Sequence, residues 1–383
     1  MMLQNKMKEK KVDKFFLIIL ILLITIGVAM FISASLGILG KDATVEILAR
    51  KEKIFYSILF NQIVLGLGMG LIGMYASYKI NYKFWRQYSF YIFLASILLT
   101  ASVFIPHVGS SHGGATRWIN IGPISLQPVE FLKFGFIIYF AAWMSWAKNK
   151  ITDLRYGILP LCVMLSVIAL ILFKQPDTKS FILIALTGFS MLFISGVPLR
   201  YLAGLAVSAV CVLSLLVFTT PYLQKRVQTF INPASDPNGS SYQIRQSLIA
   251  FGSGGLFGRG FGQSIQKFSY LPEPQGDSIF AVIGEEFGFV GAFGVVFLYV
   301  LFLLRGIRIA KNSPDTFSGL LVAGIVILIT LQSFMHIASN TGVGPLTGVP
   351  LVFMSHGGTS LMIYLVAMGV VLQISKFKHH YVQ

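Results

Sequence analysis

In a chain this apolar, ionisable side chains are costly to keep, so their types and spacing point to chemistry. Glu130 and Lys133 stand three residues apart in an apolar run, which on a helix places them on one face within ion-pair reach. The pair reads either as a buried bridge that fixes helix packing or as part of a binding site. Glu285 and Glu286 are consecutive in GEEFG, about 100° apart around a helix, so at most one is expected to face a given partner. Gly284 and Gly288 beside them offer a small-residue surface for close helix packing. Asp277 directly precedes an apolar run, after LPEPQG, whose prolines and glycine hold the approach in a non-helical shape. It reads as a helix N-cap or as a general base. The second reading gains from its company: Arg117 and Trp118 in GATRWINIGPISLQPVE, Asp177 in KQPD, Lys267 in QSIQK, and Glu273. Positive groups beside carboxylates at one membrane face suit a substrate carrying phosphate and sugar.

The elements that must hold these residues are membrane helices. The 383 residues are 55% hydrophobic and only 11% charged, against roughly 25% charged in soluble domains. That leaves too little polar surface for a water-soluble enzyme. Runs long enough to cross a bilayer lie at about 15–36, 55–77, 89–106, 127–147, 156–173, 180–197, 201–220, 279–304, 318–338 and 357–375. They lack the short alternation of barrel strands, so the expected fold is an all-α polytopic membrane protein of about ten transmembrane helices. The net charge of +16 is spread between apolar blocks rather than gathered in one patch, which argues for topology signals and against a nucleic-acid partner. Placing both termini inside puts 17 Lys and Arg on the inner face and seven in the short outer loops, so both termini are predicted cytoplasmic. Residues 1–14 and 376–383 are then cytoplasmic tails, and 15–375 form one membrane domain. Its long connection, 221–277, lies on the outer face between helices 7 and 8. Tyr242 to Phe251 has helical phase and is followed by the glycines of 252–262, so this loop reads as structured and partly re-entrant.

Other signals carry less. Cys162 and Cys211 fall inside apolar runs and read as small buried hydrophobes, not as a disulfide or thiolate site. His107, His112 and His336 read as polar loop or helix contacts rather than metal ligands. The glycine-rich stretch follows no strand and is not a nucleotide fingerprint. Asn238 opens a glycosylation sequon.

Four segments then agree with one family. GATRWINIGPISLQPVEFLK, KQPD, the stretch from INPASDPNG to VIGEEFG, and GPLTGVPLVFMSHGGTSLM resemble, in order and over nearly all spans, the SEDS proteins of shape, elongation, division and sporulation. GQSIQKFSYLPE is closer to the division branch than to the elongation branch. The resemblance implies an inverting glycosyltransferase of the bacterial inner membrane that polymerises lipid II at the outer face, for the septal wall. By position Asp277 matches the family's essential acid and becomes the base that deprotonates the acceptor sugar hydroxyl. Glu130 and Lys133 match the charged pair of the fourth helix, Asp177 the QPD motif, and Arg117 and Trp118 the RW motif. Lys267, Glu273, Glu285 and Glu286 join them as candidate substrate-binding residues. The departing undecaprenyl diphosphate needs a cation, which Lys133, Arg117 or a bound divalent ion such as Mg2+ would supply; no metal-ligand set is assigned. The implied partners are a class B penicillin-binding transpeptidase and divisome proteins. Three departures bear on the site: Gln275 and Gly276 in place of His and Thr, Thr178 and Lys179 in place of Leu and Gly, and His356 in place of Tyr. Two other functions stay open: a flippase for a lipid-linked precursor, with Glu130, Lys133 and Glu285 as a midplane relay, and a non-catalytic division scaffold. The crowding of acidic candidates toward one face favours the transferase.

Overall fold

The structure, a computed structural model, describes residues 11–40, 45–112, 115–121, 124–232 and 240–377. The sequon at Asn238 and most of both tails lie outside the described residues. Among the described residues, seven helices are long and apolar enough to cross a membrane: Lys14–Leu39, Arg50–Lys79, Pro128–Ala147, Leu199–Thr219, Ile279–Lys311, Thr316–Asn340 and Gly358–Ser375. Three shorter apolar helices, Ser89–Phe104, Ile158–Lys174 and Thr178–Ile194, complete the ten expected spans. Their ends follow local chemistry. Pro128 opens the fourth span at a position where its missing N–H costs nothing. The Asp177 side chain caps the sixth by accepting from the Ser180 N–H. Asp315 and Ser318 form a reciprocal capping box at the ninth. Asp13 caps the first span and pairs with Arg305 Nη2 at 2.8 Å, which ties the chain's start to the far end of the eighth span.

The ninth and tenth spans are buried along most of their length and form the centre, whereas the seventh is almost entirely exposed at the periphery. Cys211 lies exposed on that seventh span and Cys162 is half-buried on the fifth. Neither is the buried residue the sequence suggested, because lipid tails are as apolar as a protein core and accept the same side chains.

Three features depart from ten plain helices. The connection 102–127 folds into a three-stranded antiparallel sheet, β1 (Gly109–His112), β2 (Ala115–Ile121) and β3 (Ile124–Leu126), in the order β1-β2-β3. Within the second span, Phe60–Gly68 is wound as a π-helix, a form that concentrates at functional sites. The eighth span is broken at Gly288, whose φ of 66° and ψ of −164° are closed to residues with a side chain.

The re-entrant segment accounts for that break. Helix Ser240–Gly254 packs along the eighth span, and the chain after it takes up the backbone groups that the break releases. Phe289 N–H donates to Gly255 O at 2.9 Å and Val290 N–H to Leu256 O at 3.1 Å. In return, Arg259 N–H donates to Glu285 O and Gly260 N–H to Glu286 O, both at 3.0 Å. Two helix bonds are thus exchanged for four bonds to the loop, which satisfies non-helical backbone within protein. Gly284 and Gly288 serve this junction rather than contact between two spans. A Cβ at Gly284 would lie 2.1 Å from the Phe251 ring, and one at Gly288 2.4 Å from Gly258 N.

Candidate active site

By strict alternation of the ten spans, the long loop, the sheet, residues 175–177, residues 341–357 and the first turns of the fourth, sixth and tenth spans share one face. A cavity of about 670 Å³ opens among them. Its walls carry Arg117, Trp118, Glu130, Lys133, Lys179, Glu273, Asp277 and His356, with Asn61, Gln332 and Gly348 between them.

Asp277 stands two residues before the eighth span. The helix begins at Ile279 with Ser278 at the cap position, so the N-cap reading of Asp277 does not hold. Its main chain is fixed from several sides. Asn340 Nδ2 donates to Asp277 O at 2.9 Å, Ser355 Oγ to Gly276 O at 2.8 Å, and the His356 N–H to Gln275 O at 2.7 Å. The carboxylate itself accepts no hydrogen bond from the described residues and borders the cavity. Gly348, at φ +61°, leaves room for it: a Cβ there would lie 3.1 Å from Asp277 Oδ2 and 3.6 Å from Lys179 Nζ. Lys179 donates to the Gly348 carbonyl. Glu273 sits at the solvent-reached mouth, and its carboxyl is raised above the usual value by desolvation, then by the Asp277 charge, with Lys179 opposing. His356 stacks on Phe31, with ring centroids 6.1 Å apart, and burial pushes its imidazole below the usual value.

Deeper in the cavity, Lys133 Nζ meets Glu130 Oε2 at 2.8 Å, Gln332 Oε1 at 2.9 Å and Tyr364 Oη at 3.0 Å, and the Tyr364 hydroxyl donates to Gln332 Oε1 at 2.6 Å. Glu130 and Lys133 are 3% and 2% exposed, so little but a ligand or water in the cavity can reach them. β2 delivers Arg117 and Trp118. Arg117 Nε donates to Gln175 O at 2.9 Å and its Nη2 to Pro176 O, which locks the sheet onto the start of the sixth span.

The remaining candidates sit elsewhere. Asp177 is fully buried and spends its carboxylate on Ser180, accepting from Ser180 Oγ at 2.8 Å and from its N–H. Lys267, Glu285 and Glu286 do not border the cavity. They form a lock beneath the glycine-rich loop: Lys267 Nζ pairs with Glu286 Oε1 at 2.7 Å, and the Ser33 hydroxyl and Gly262 N–H also donate to Glu286. Ser264 Oγ and the Ile265 and Gln266 N–H groups donate to Glu285. The two glutamates therefore grip the same loop, contrary to the expectation that only one could face a given partner, because residues 259–267 wrap around the helix. With Glu285 in this lock, a relay of Glu130, Lys133 and Glu285 is not assembled.

Several residues in and around the cavity went unnoticed in the sequence. Gln332 and Tyr364 complete the buried pair, and Gln62 holds the 355–357 turn, its Nε2 donating to Ser355 O at 3.0 Å and its Oε1 accepting from the Gly357 N–H at 2.8 Å. The available signal was an amide inside an apolar run, as in Asn61-Gln62 and at Gln332. Among the described residues no three or more His, Cys, Asp or Glu come together as a metal-ligand group; the acidic pair at the mouth has a lysine beside it.

A polar, two-signed cavity at one face of a helical bundle suits an enzyme acting on a charged, lipid-linked substrate. The family described as "Cell cycle protein", that of FtsW, RodA and SpoVE, matches residues 13–380, and the chain belongs to it. It is 36% identical to Stage V sporulation protein E of Bacillus subtilis over 97% of this chain and 99% of that protein. It is 35% identical to the Probable peptidoglycan glycosyltransferase FtsW of Geobacter sulfurreducens, over 96% of each. Among solved structures, a chain described under "Structural coordination of polymerization and crosslinking by a peptidoglycan synthase complex" superposes with a TM-score of 0.76 at 25% identity, over 95% of this chain and 97% of that one. The rod shape determining protein RodA of Thermus thermophilus shares the fold, with a TM-score of 0.68 at 24% identity over 96% and 98% of the two chains.

Proposed function

We propose that Asp277 is the general base of an inverting glycosyl transfer in which lipid II is polymerised into glycan strands. The chain is a multi-pass membrane protein of a peptidoglycan glycosyltransferase family, and the loop face is assigned to the outside of the bacterial inner membrane, with both termini cytoplasmic. The observation that carries the reading is an Asp277 carboxylate with no hydrogen-bond donor among the described residues, on the wall of a cavity that also holds Lys133, Lys179 and Arg117.

In the reaction the acceptor hydroxyl gives its proton to the Asp277 carboxylate as its oxygen bonds to the anomeric carbon of the donor sugar. The bond from that carbon to the diphosphate breaks on the opposite side, and its electron pair leaves on undecaprenyl diphosphate. Pre-oriented cations stabilise the charge that develops there. Lys133 is held by three partners and Arg117 by two backbone carbonyls, so neither has to reorganise during the reaction. Trp118 and His356 offer apolar faces against which a sugar ring can lie. Glu285, Glu286 and Lys267 act at a distance, holding the loop that runs into Pro272–Asp277. A class B penicillin-binding transpeptidase and division proteins are the proposed partners, with the septal wall as the product's destination.

The test is polymerisation of fluorescent lipid II by the purified protein, with products resolved on a gel. Wild type forms polymer, while Asp277→Asn, present at equal level in the membrane, forms none. Polymer from Asp277→Asn at the wild-type rate would reject the base assignment. For orientation, Val343→Cys in a background of Cys162→Ala and Cys211→Ser is expected to react with an impermeant maleimide on intact cells; labelling only after lysis would reverse the topology.

A further inference from the structure

Lys179 is a cation in an unusual position. It stands at the second residue of the sixth span and reaches the cavity, donating one of its three N–H groups to the Gly348 carbonyl. The other two have no partner among the described residues. Asp277 lies at the same glycine: Asp277 Oδ2 and Lys179 Nζ approach the point where a Cβ of Gly348 would stand, at 3.1 and 3.6 Å. Glu273 feels both charges. This place, beside the Asp277 carboxylate and on the wall of the cavity that Glu273 also lines, is where a divalent ion serving a diphosphate would bind if the chain used one. The residues present do not fit such an ion. An ion held by one or two carboxylates, the diphosphate and waters would have to share Asp277 and Glu273 with the lysine on the same cavity wall. An ammonium already faces the two carboxylates, and its like charge opposes a second cation.

We propose that the Lys179 ammonium is this chain's built-in cation for the diphosphate of its lipid-linked substrate, standing where a divalent ion would otherwise be required. The inference rests on the glycosyl-transfer reading above and concerns the same cavity. Lysine binds phosphate as a point charge, and its two unpartnered N–H groups are directed by a stem anchored at Gly348. Polymerisation by this chain is then independent of divalent metal, and Lys179 is a catalytic residue through its contact with the leaving group.

Two measurements on the full-length protein test this. Binding of undecaprenyl diphosphate in EDTA, followed by tryptophan fluorescence, to which Trp118 on the cavity wall contributes, is expected to weaken on the order of tenfold in Lys179→Ala but not in Lys174→Ala, which removes an exposed charge outside the cavity. Lipid II polymerisation by wild type is expected to continue in EDTA within about twofold of its rate in Mg2+. Lys179→Ala is expected to lose on the order of 100-fold in EDTA and to recover in part with millimolar Mg2+, while Lys179→Arg, which keeps the charge, retains EDTA-resistant activity. Loss of wild-type polymer in EDTA, or a Lys179→Arg protein that unfolds at the wild-type midpoint yet falls as far as Lys179→Ala, would overturn the proposal and leave Asp277 as the base. Lysine-dependent binding in EDTA from a protein that makes no polymer under any condition would instead support the cation site and refute the transferase reading.

Discussion

The buried pair of the fourth span separates packing from chemistry through a double-mutant cycle. Lys133→Met leaves the Glu130 carboxylate at 3% exposure without its counter-charge. Breaking a buried pair from one side costs about 3–5 kcal/mol, and little more is added here, because Gln332 Oε1 keeps the Tyr364 hydroxyl at 2.6 Å. Glu130→Gln leaves Lys133 with Gln332 and Tyr364 as acceptors, so it belongs at the lower end, about 3 kcal/mol. Combining Glu130→Gln with Lys133→Met removes both charges and loses chiefly the lysine's neutral hydrogen bonds, about 1–2 kcal/mol. The double variant is therefore expected to be more stable than the Lys133→Met single, with a coupling of several kcal/mol. Unfolding of the purified protein in mixed micelles, followed by tryptophan fluorescence, measures all four corners. Single effects that add to the double within about 0.5 kcal/mol would refute the coupling derived from this geometry. The same proteins go into the lipid II assay. If Lys133 serves the diphosphate, the double variant is folded but slower by about 100-fold; a folded double variant that polymerises at the wild-type rate would reduce the pair to packing.

Three further outcomes follow from other parts of the molecule. Gly288→Ala sets a side chain in a backbone region reserved for glycine and a Cβ 2.4 Å from Gly258 N, so a loss of about 2–6 kcal/mol is expected, read as a fall in folded protein extracted from membranes; normal yield and melting would contradict the broken-helix junction. Lys267→Met leaves Glu286 buried without its ion pair and is expected to open residues 259–267 to limited proteolysis while the bundle stays intact, whereas protease resistance equal to wild type would deny the lock. Glu273, whose folded value is raised, contributes stability that is complete below the ordinary glutamate value and lost as pH rises through the raised one. Wild type should therefore show a shallow decline in melting temperature as pH rises above the ordinary glutamate value, about 4, that Glu273→Gln lacks, and parallel profiles for the two proteins would contradict the shift.

The ten spans were legible because one physical demand, about 20 apolar residues for a bilayer of roughly 30 Å, acts on each segment by itself. Pro128, Asp177 and Asp315 fix helix starts for an equally local reason, whereas Asp277, the aspartate read as a possible cap, stands one residue before the cap position. Asp277, Glu130, Lys133, Arg117 and Trp118 stood out because charge or amphipathic bulk is rare in such a chain, and the fold brings them to one cavity. Rarity alone could not sort chemistry from fastening. Lys267, Glu285 and Glu286 are as conspicuous as Lys133, yet they hold a loop, and nothing in GEEFG says that the helix stops at Gly288 for two turns of chain to cross it. The sheet that carries Arg117 was hidden because its strands, of four, seven and three residues, are too short for a periodic signal. Lys179 was the opposite case: visible only as a departure from a motif, it acquires meaning once Gly348, distant in sequence, brings it to the flank of Asp277. A charged residue is therefore best judged by what its spare hydrogen-bonding capacity faces. At Glu286 every acceptor is occupied by the protein, whereas at Asp277 and Lys179 carboxylate oxygens and N–H groups remain directed at a cavity, and there the chain has left binding capacity for something other than itself.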